Sequence, residues 1–200
     1  MNEINLQEST EYRAGAVIER QKTTDSELLA PVARLLEDSH ADLQRALTGV
    51  EDEFCSRKPA AGGWSITEII EHLIIVEKRV PRLLQAKLPE QELAPDTLNV
   101  QEKDAELVEW VSSYTFKVNA PELVKPTGRY KSCRQALEDF VAARQRTLTY
   151  VRSAPPYLRG RLLPHPLLGL IDGYQWLLAL AAHTQRHVKQ IDEIKTAALH

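Results

Sequence analysis

The chain has 200 residues, of which 43% are hydrophobic and 26% are charged, and its net charge is −3 at pH 7. These values are those of an ordinary globular domain and exclude a largely disordered chain. The slight acidic excess, without a long run of either sign, also argues against the basic surface by which proteins bind nucleic acid.

The apolar residues recur with helical periodicity and predict four main helices. A polar segment, 1–24, comes first, and we expect it to be poorly ordered. The first helix then covers about 25–47. The second opens at Ser65, with Glu68 three residues later in the pattern of a capping box, and it continues to about Lys87.

A long connection follows, residues 88–130, which is rich in proline and in which a short helix is expected near 101–113. Ser132 caps a third helix that ends near residue 151. A loop with several prolines and glycines, 153–169, leads into the last helix, 170–196. No segment alternates between apolar and polar residues as a strand does, so no strand is predicted.

These elements predict an all-α fold, and a chain of this length can bury a core without disulfides. Because the connection between the second and third helices is long, those two helices can run parallel. We therefore expect an up-down-down-up four-helix bundle over residues 25–196, followed by a tail, 197–200.

The sequence also bears on the compartment. No apolar run approaches the roughly 20 residues of a transmembrane helix, and the polar N-terminal residues lack the pattern of a secretory signal. Cys55 and Cys133 are far apart and neither belongs to a CxxC motif, which favours two free thiols in a reducing compartment. We expect a cytoplasmic protein without a membrane partner.

Two of the six histidines, His183 and His187, are four residues apart on the last predicted helix. Because the two positions differ by only about 40° around the helix axis, both rings leave the same face, which also carries apolar residues. Imidazoles that point into a core need hydrogen bonds or a metal ion. At this spacing both rings can bind one cation, and the same spacing is also compatible with histidines that only pack.

His72 lies at the edge of the apolar arc of the second helix, and it would supply a third imidazole from a different element. Three protein nitrogens with one open position are the pattern of a catalytic zinc site. Glu68, one turn before His72, either orients that ring or only caps its helix, and it is the candidate general base. Gln190, three residues after His187, either contacts that ring or satisfies a buried backbone group.

Several segments resemble motifs of the DinB-like superfamily. Gly63 to Leu73, GWSITEIIEHL, is similar to its W-S-x-x-E-x-x-x-H-L signature. The stretch from Gln175-Trp176 through His183-Thr184-Gln185-Arg186-His187 to Gln190-Ile191 resembles its second signature, H-x-x-x-H followed by Q-I. His165-Pro166 with Gly169 resembles the turn before the family's last helix, and Pro126-Thr127-Gly128 resembles a loop of one branch. The resemblance covers about residues 25–196.

The resemblance implies a four-helix bundle, frequently dimeric, with one metal ion held by His72, His183 and His187. Zinc, nickel, iron and manganese are associated with such sites, and imidazole ligands suit several of them. Some branches use the site in thiol chemistry, as bacillithiol S-transferases and mycothiol-dependent isomerases, and others are described as metal-dependent hydrolases. The resemblance therefore favours a homodimeric enzyme in which a divalent metal activates a low-molecular-weight thiol, or water, against a small-molecule substrate.

Two alternatives stay open. In the first, the bundle is a non-catalytic, metal-stabilised dimer that binds a ligand or a partner, and the fourth coordination position is closed. In the second, no metal binds, and the three histidines are core residues whose nitrogens are satisfied by hydrogen bonds.

Overall fold

The computed structural model describes residues 27–60, 62–95, 100–113, 119–153 and 155–198. The predicted polar segment 1–24 lies outside these residues, as does the end of the predicted tail. The helices are α1 (27–47), α2 (Asp52–Ser56), α3 (Ile66–Lys87), α4 (Asp104–Ser112), α5 (Cys133–Arg152) and α6 (Gly173–Ala197). Short 3-10 helices cover Leu88–Glu90, Val100–Lys103 and Glu122–Val124, and two strands, β1 (Leu162–His165) and β2 (Gly169–Asp172), form an antiparallel hairpin.

The four long helices, α1, α3, α5 and α6, are those that the periodicity predicts, and the predicted all-α bundle is confirmed. Two apolar clusters fill its ends. The first contains residues from the start of α1, the end of α3, the end of α5 and the first half of α6. The second contains residues from the end of α1, the start of α3, the start of α5 and Ile191 of α6. Helices α3 and α5 therefore run parallel, and α1 and α6 run opposite to them.

A layer of buried polar groups separates the two clusters. Arg144 of α5 donates hydrogen bonds to both carboxylate oxygens of Glu77 on α3, at 2.8 and 2.9 Å. It also donates to the carbonyl of Leu36 and the hydroxyl of Ser39 on α1, and to the hydroxyl of Thr184 on α6. All five N–H donors of the Arg144 guanidinium are therefore hydrogen-bonded. This layer links the four long helices near their midpoints.

The predicted short helix within the 88–130 connection is present as α4, preceded by a 3-10 turn, and it packs along α6. At its start, Asp104 accepts a hydrogen bond from the Gln175 side chain at 3.0 Å. At its end, the carbonyls of Ser112 and Ser113 accept hydrogen bonds from Lys189 and Arg186. Helix α4 therefore runs parallel to α6, and its C-terminal end lies beside the turn of α6 that carries His187.

The short helix α2 packs against α3 and against the start of α5. The carboxylate of Asp52 accepts hydrogen bonds from the Ser132 hydroxyl at 2.8 Å and from the backbone N–H groups of Cys133 and Arg134. These groups belong to the first turn of α5, whose N–H groups have no partner within the helix. Asp52 therefore caps α5 from outside, together with the predicted cap Ser132.

The hairpin of β1 and β2 was not predicted, and the prediction that the last helix begins at residue 170 was wrong. Each strand has only four residues, which is too short for a clear alternation. Gly169, with φ of 72°, provides the left-handed conformation that the hairpin turn requires. Helix α6 instead begins at Gly173, behind a capping box between Asp172 and Gln175.

Within the part of the chain that the structure describes, none of the helices has the length and apolar character that a membrane crossing requires.

Candidate metal centre

His72 lies on the second turn of α3 and is buried, with 4% of its surface exposed. The start of its helix is fixed by the predicted capping box, in which Ser65 and Glu68 exchange hydrogen bonds. The Nδ1 atom of His72 lies 2.7 Å from the carbonyl oxygen of Val124. Because a carbonyl oxygen only accepts, Nδ1 carries the proton, and the Nε2 lone pair is free.

His187 has the same arrangement on α6. It is buried, and its Nδ1 atom lies 2.8 Å from the side-chain oxygen of Gln190, one turn further along the helix. The Nδ1–H group donates to this oxygen, so the Nε2 lone pair of His187 is also free. Gln190 therefore contacts the ring, which was one of the two roles expected for it.

His183 brings the two rings together. Its Nε2 atom lies 3.2 Å from Nε2 of His72 and 3.1 Å from Nε2 of His187. Three nitrogens bound tetrahedrally to one ion at about 2.0–2.1 Å would lie about 3.3 Å apart. In the described residues, these histidines are the single group of three or more histidine, cysteine or acidic side chains whose ligand atoms lie within 4.8 Å of one another.

Hydrogen bonds among the three rings cannot satisfy all of their nitrogens. The lone pairs of His72 and His187 both point at Nε2 of His183, which carries at most one proton and can donate fully to only one of them. The Nδ1 atom of His183 is buried and has no hydrogen-bond partner among the described residues. A cation placed between the three Nε2 atoms would accept all three lone pairs, so the donor set fits a metal ion.

The electrostatics of the site keep the three rings neutral. Burial lowers the pKa of His72 below its ordinary value, against the opposite effect of its bond to Val124. Burial, and then the neighbouring His72, lowers the pKa of His187 to about 3. Burial, and then His187 and His72, holds the pKa of His183 well below its ordinary value. Unprotonated imidazole is the form that binds metal ions.

The comparisons with known proteins agree with the fold. The sequence profile of the DinB superfamily matches residues 35–191, most of the chain. The chain belongs to the DinB superfamily. It is similar to an uncharacterized protein, YuaE, of Bacillus subtilis (strain 168), with 24% identity over 161 residues that make up 80% of this chain and 95% of that protein.

A solved structure is similar to this chain in its four-helix-bundle fold. The crystal structure of TT2238, a four-helix bundle protein, aligns with a TM-score of 0.52 and 21% sequence identity. The alignment covers 82% of this chain and 96% of that one. At this identity the likeness shows the fold alone, and that fold is a four-helix bundle.

The cluster of His72, His183 and His187 has an aromatic neighbour in Trp64. The ring of Trp64, just before α3, lies 4.9 Å from the ring of His72, centroid to centroid. A second ring contact involves α6, where the ring of His165 lies 4.5 Å from that of Trp176. The Nδ1 atom of His165 accepts hydrogen bonds from the backbone N–H groups of Leu167 and Leu168, so this histidine shapes the hairpin turn.

Glu68, a predicted neighbour of the site, is engaged elsewhere. One oxygen of its carboxylate accepts from the backbone N–H of Ser65 at 2.8 Å, and the other accepts from Lys58 at 3.0 Å. The structure places Glu68 in the capping box of α3 and leaves the Nδ1 atom of His72 to the Val124 carbonyl. The neighbour of His72 in sequence, Glu71, instead binds the loop whose Val124 carbonyl contacts the His72 ring.

Three features around the histidine cluster were not predicted from the sequence: Glu71, the Val124 carbonyl and the Glu77–Arg144 pair. Glu71, Glu77 and Arg144 could have been found, because each is a charged residue at an inward position of its helix. Such a position predicts a buried partner, since buried charges need one. The Val124 contact has no such signal, since a main-chain carbonyl depends on how the long connection folds.

Proposed function

We propose that His72, His183 and His187 hold one divalent metal ion through their Nε2 atoms, and that the protein is a metal-dependent enzyme acting on a small molecule. The observation that carries this proposal is the convergence of three Nε2 lone pairs, two of them fixed by hydrogen bonds at Nδ1. Zinc, nickel, iron and manganese are all compatible with three imidazole ligands.

Three protein ligands favour catalysis over a purely structural role, because structural zinc sites have four protein ligands. Among the described residues, the cluster contains these three histidines and no other histidine, cysteine or acidic side chain. When bound, such an ion would lower the pKa of a thiol or of a water molecule in its open position. The Val124 carbonyl holds the ring of His72, and the Gln190 side chain holds the ring of His187. The indole of Trp64 lies against one side of His72.

The surroundings support thiol chemistry over hydrolysis. A hydrolytic site is expected to contain a carboxylate that acts as a general base. Both oxygens of Glu68 are used in the capping box and the bond to Lys58, and Glu71 is bonded to a backbone turn. We therefore favour a low-molecular-weight thiol as cosubstrate, attacking an electrophilic small molecule. The homodimer is proposed on the family resemblance alone. Hydrolysis of an ester or amide is the second candidate reaction.

The first test is elemental analysis of protein purified without an affinity tag. Wild type should contain roughly one ion per chain, as three ligands in one site require. His183→Ala should lose the ion. His40→Ala, which removes another inward histidine of the bundle, should keep it. The absence of metal from the wild type, even after addition of zinc or nickel, would overturn the proposal.

The second test separates catalysis from a structural metal. Cobalt-loaded protein should change its visible spectrum when a thiol is added, because an open position admits a new ligand. A spectrum that no thiol and no change of solvent alters would indicate a closed site and the non-catalytic alternative. Consumption of glutathione, bacillithiol or mycothiol with a panel of electrophiles then tests S-transfer directly, with ester hydrolysis measured in parallel.

A further inference from the structure

We propose that Glu71 is a positioning residue of the metal centre, which orients His72 by holding the backbone turn Thr127–Arg129. This inference rests on the proposed function, because it assigns a residue that tunes the same site. Glu71 is buried, with 3% of its surface exposed, and it directly precedes His72 in α3. It does not belong to the histidine cluster itself.

The carboxylate of Glu71 is fully occupied by one turn of the long connection. Its Oε1 atom accepts from the backbone N–H of Thr127 at 2.9 Å and from the Thr127 hydroxyl at 2.7 Å. Its Oε2 atom accepts from the backbone N–H groups of Gly128 and Arg129, at 3.0 and 3.1 Å. Four bonds to one buried carboxylate bind this turn to α3 with charge-assisted hydrogen bonds, which are stronger than neutral ones.

The same stretch of chain orients His72. Val124 lies three residues before Thr127, and its carbonyl accepts the hydrogen bond from Nδ1 of His72. Two consecutive residues of α3, Glu71 and His72, therefore hold one loop at two points. If the turn at Thr127 is released, the Val124 carbonyl is free to move, and Nδ1 of His72 loses the acceptor that fixes its proton.

The proton on Nδ1 decides whether His72 can bind a metal through Nε2. With Val124 in place, the proton stays on Nδ1 and the Nε2 lone pair faces the other two histidines. Without it, the ring can rotate or carry the proton on Nε2, and the ligand is lost for that fraction of the time. Removing the partner of a metal-bound histidine typically weakens metal binding by about 10–100-fold.

The chain offers a matched control one turn earlier. Glu68 is a carboxylate on the same helix, and it accepts hydrogen bonds from Ser65 and Lys58 rather than from the 127–129 turn. Glu71→Gln and Glu68→Gln remove the same charge with the same change of shape. In Glu71→Gln, an amide NH₂ group faces backbone N–H donors, so the turn cannot keep all its bonds.

The test measures zinc affinity by competition with a chromogenic chelator, alongside thermal unfolding of each metal-free protein. We expect Glu71→Gln to bind zinc about 10–100-fold more weakly than wild type, as loss of an orienting partner does. We expect Glu68→Gln to stay within a few-fold of wild type. Equal affinity of Glu71→Gln and wild type would overturn this inference and leave the metal centre intact, whereas a wild type that binds no zinc would overturn the proposed function.

A second pair of variants keeps the inference testable if Glu71→Gln does not fold. Thr127→Val removes the hydroxyl bond to Glu71, and Thr127→Ser retains it. Zinc affinity should be lower than that of wild type in Thr127→Val and close to that of wild type in Thr127→Ser. In wild type, zinc should also slow hydrogen exchange at the amides of residues 127–129, and the absence of both effects would contradict coupling between this turn and the site.

Discussion

The indole ring of Trp64 lies 4.9 Å from the imidazole ring of His72, at a tilt of 44°. This contact gives the site a built-in optical reporter. Addition of cobalt or copper to the metal-free protein should quench tryptophan fluorescence, because Trp64 would lie beside the bound ion. Trp64→Phe should remove most of the quenching. Trp110→Phe, which changes a tryptophan that is 43% exposed on α4, is the control and should retain it.

Gln190 should contribute to metal affinity through His187. Its side-chain oxygen accepts the Nδ1–H of that ring at 2.8 Å. Gln190→Leu removes the acceptor at similar size, and we expect zinc to bind about 10-fold or more weakly. Chelator competition measures the change. An affinity equal to that of wild type would show that the ring is held by packing alone.

Arg144 and Glu77 should be strongly coupled in stability. Both are fully buried, and the guanidinium bonds the carboxylate through two nitrogens. Arg144→Met leaves a buried carboxylate without its partner, and we expect it to lower the free energy of unfolding by about 3–5 kcal/mol.

The double variant Arg144→Met/Glu77→Leu tests that coupling. It removes both charges, and we expect it to recover most of the loss, since an apolar replacement of a buried pair is often neutral. Urea unfolding of the two single variants and the double variant measures the coupling. Additive losses would indicate that the two side chains act separately.

Asp52 should make the free energy of unfolding depend on pH in acidic solution. Hydrogen bonds from the side chains of Cys133 and Ser132, and then from the Arg134 backbone, lower the pKa of the Asp52 carboxyl to about 2. The pKa of an aspartate in an unfolded chain is about 3.9, so folding favours the ionised form of Asp52. Asp52 therefore contributes stability above about pH 4, and the contribution is lost as the pH falls toward 2.

Asp52→Asn tests that dependence. The difference in unfolding free energy between wild type and Asp52→Asn should be largest above pH 4 and should shrink steadily toward pH 2. Urea unfolding at a series of pH values measures it. A difference that stays constant over this range would mean that the charge of Asp52 has no part in holding α5.

The long helices could be predicted from the sequence because their apolar stripes are long and their caps are explicit, as at Ser65 and Ser132. The hairpin could not, since four-residue strands leave too short a pattern. The start of α6 was misplaced because Leu170 and Ile171 extend the apolar pattern into β2. The capping pair Asp172 and Gln175 is the sequence signal for the start of α6 at Gly173.

The candidate ligands could be predicted for a similar reason. His183 and His187 share a helical face, and the motif around His72 is specific. Their orientation could not be predicted, because the Val124 carbonyl and the turn held by Glu71 come from the long connection. That segment has no periodic pattern from which to infer where its backbone lies.

The polar layer of Arg144 also bears on how the metal centre assembles. Glu77 follows His72 on α3, and Thr184 follows His183 on α6, so the hydrogen bonds of Arg144 fix the two histidine-bearing helices at one relative height. Sliding α3 by a turn would separate the buried charges of Glu77 and Arg144, and sliding α6 by a turn would break the hydrogen bond between Arg144 and Thr184. We therefore expect the two halves of the site to be aligned in the metal-free protein, so that a bound metal would contribute little to the free energy of folding. A chelator should strip the ion and leave a folded bundle that can be reloaded.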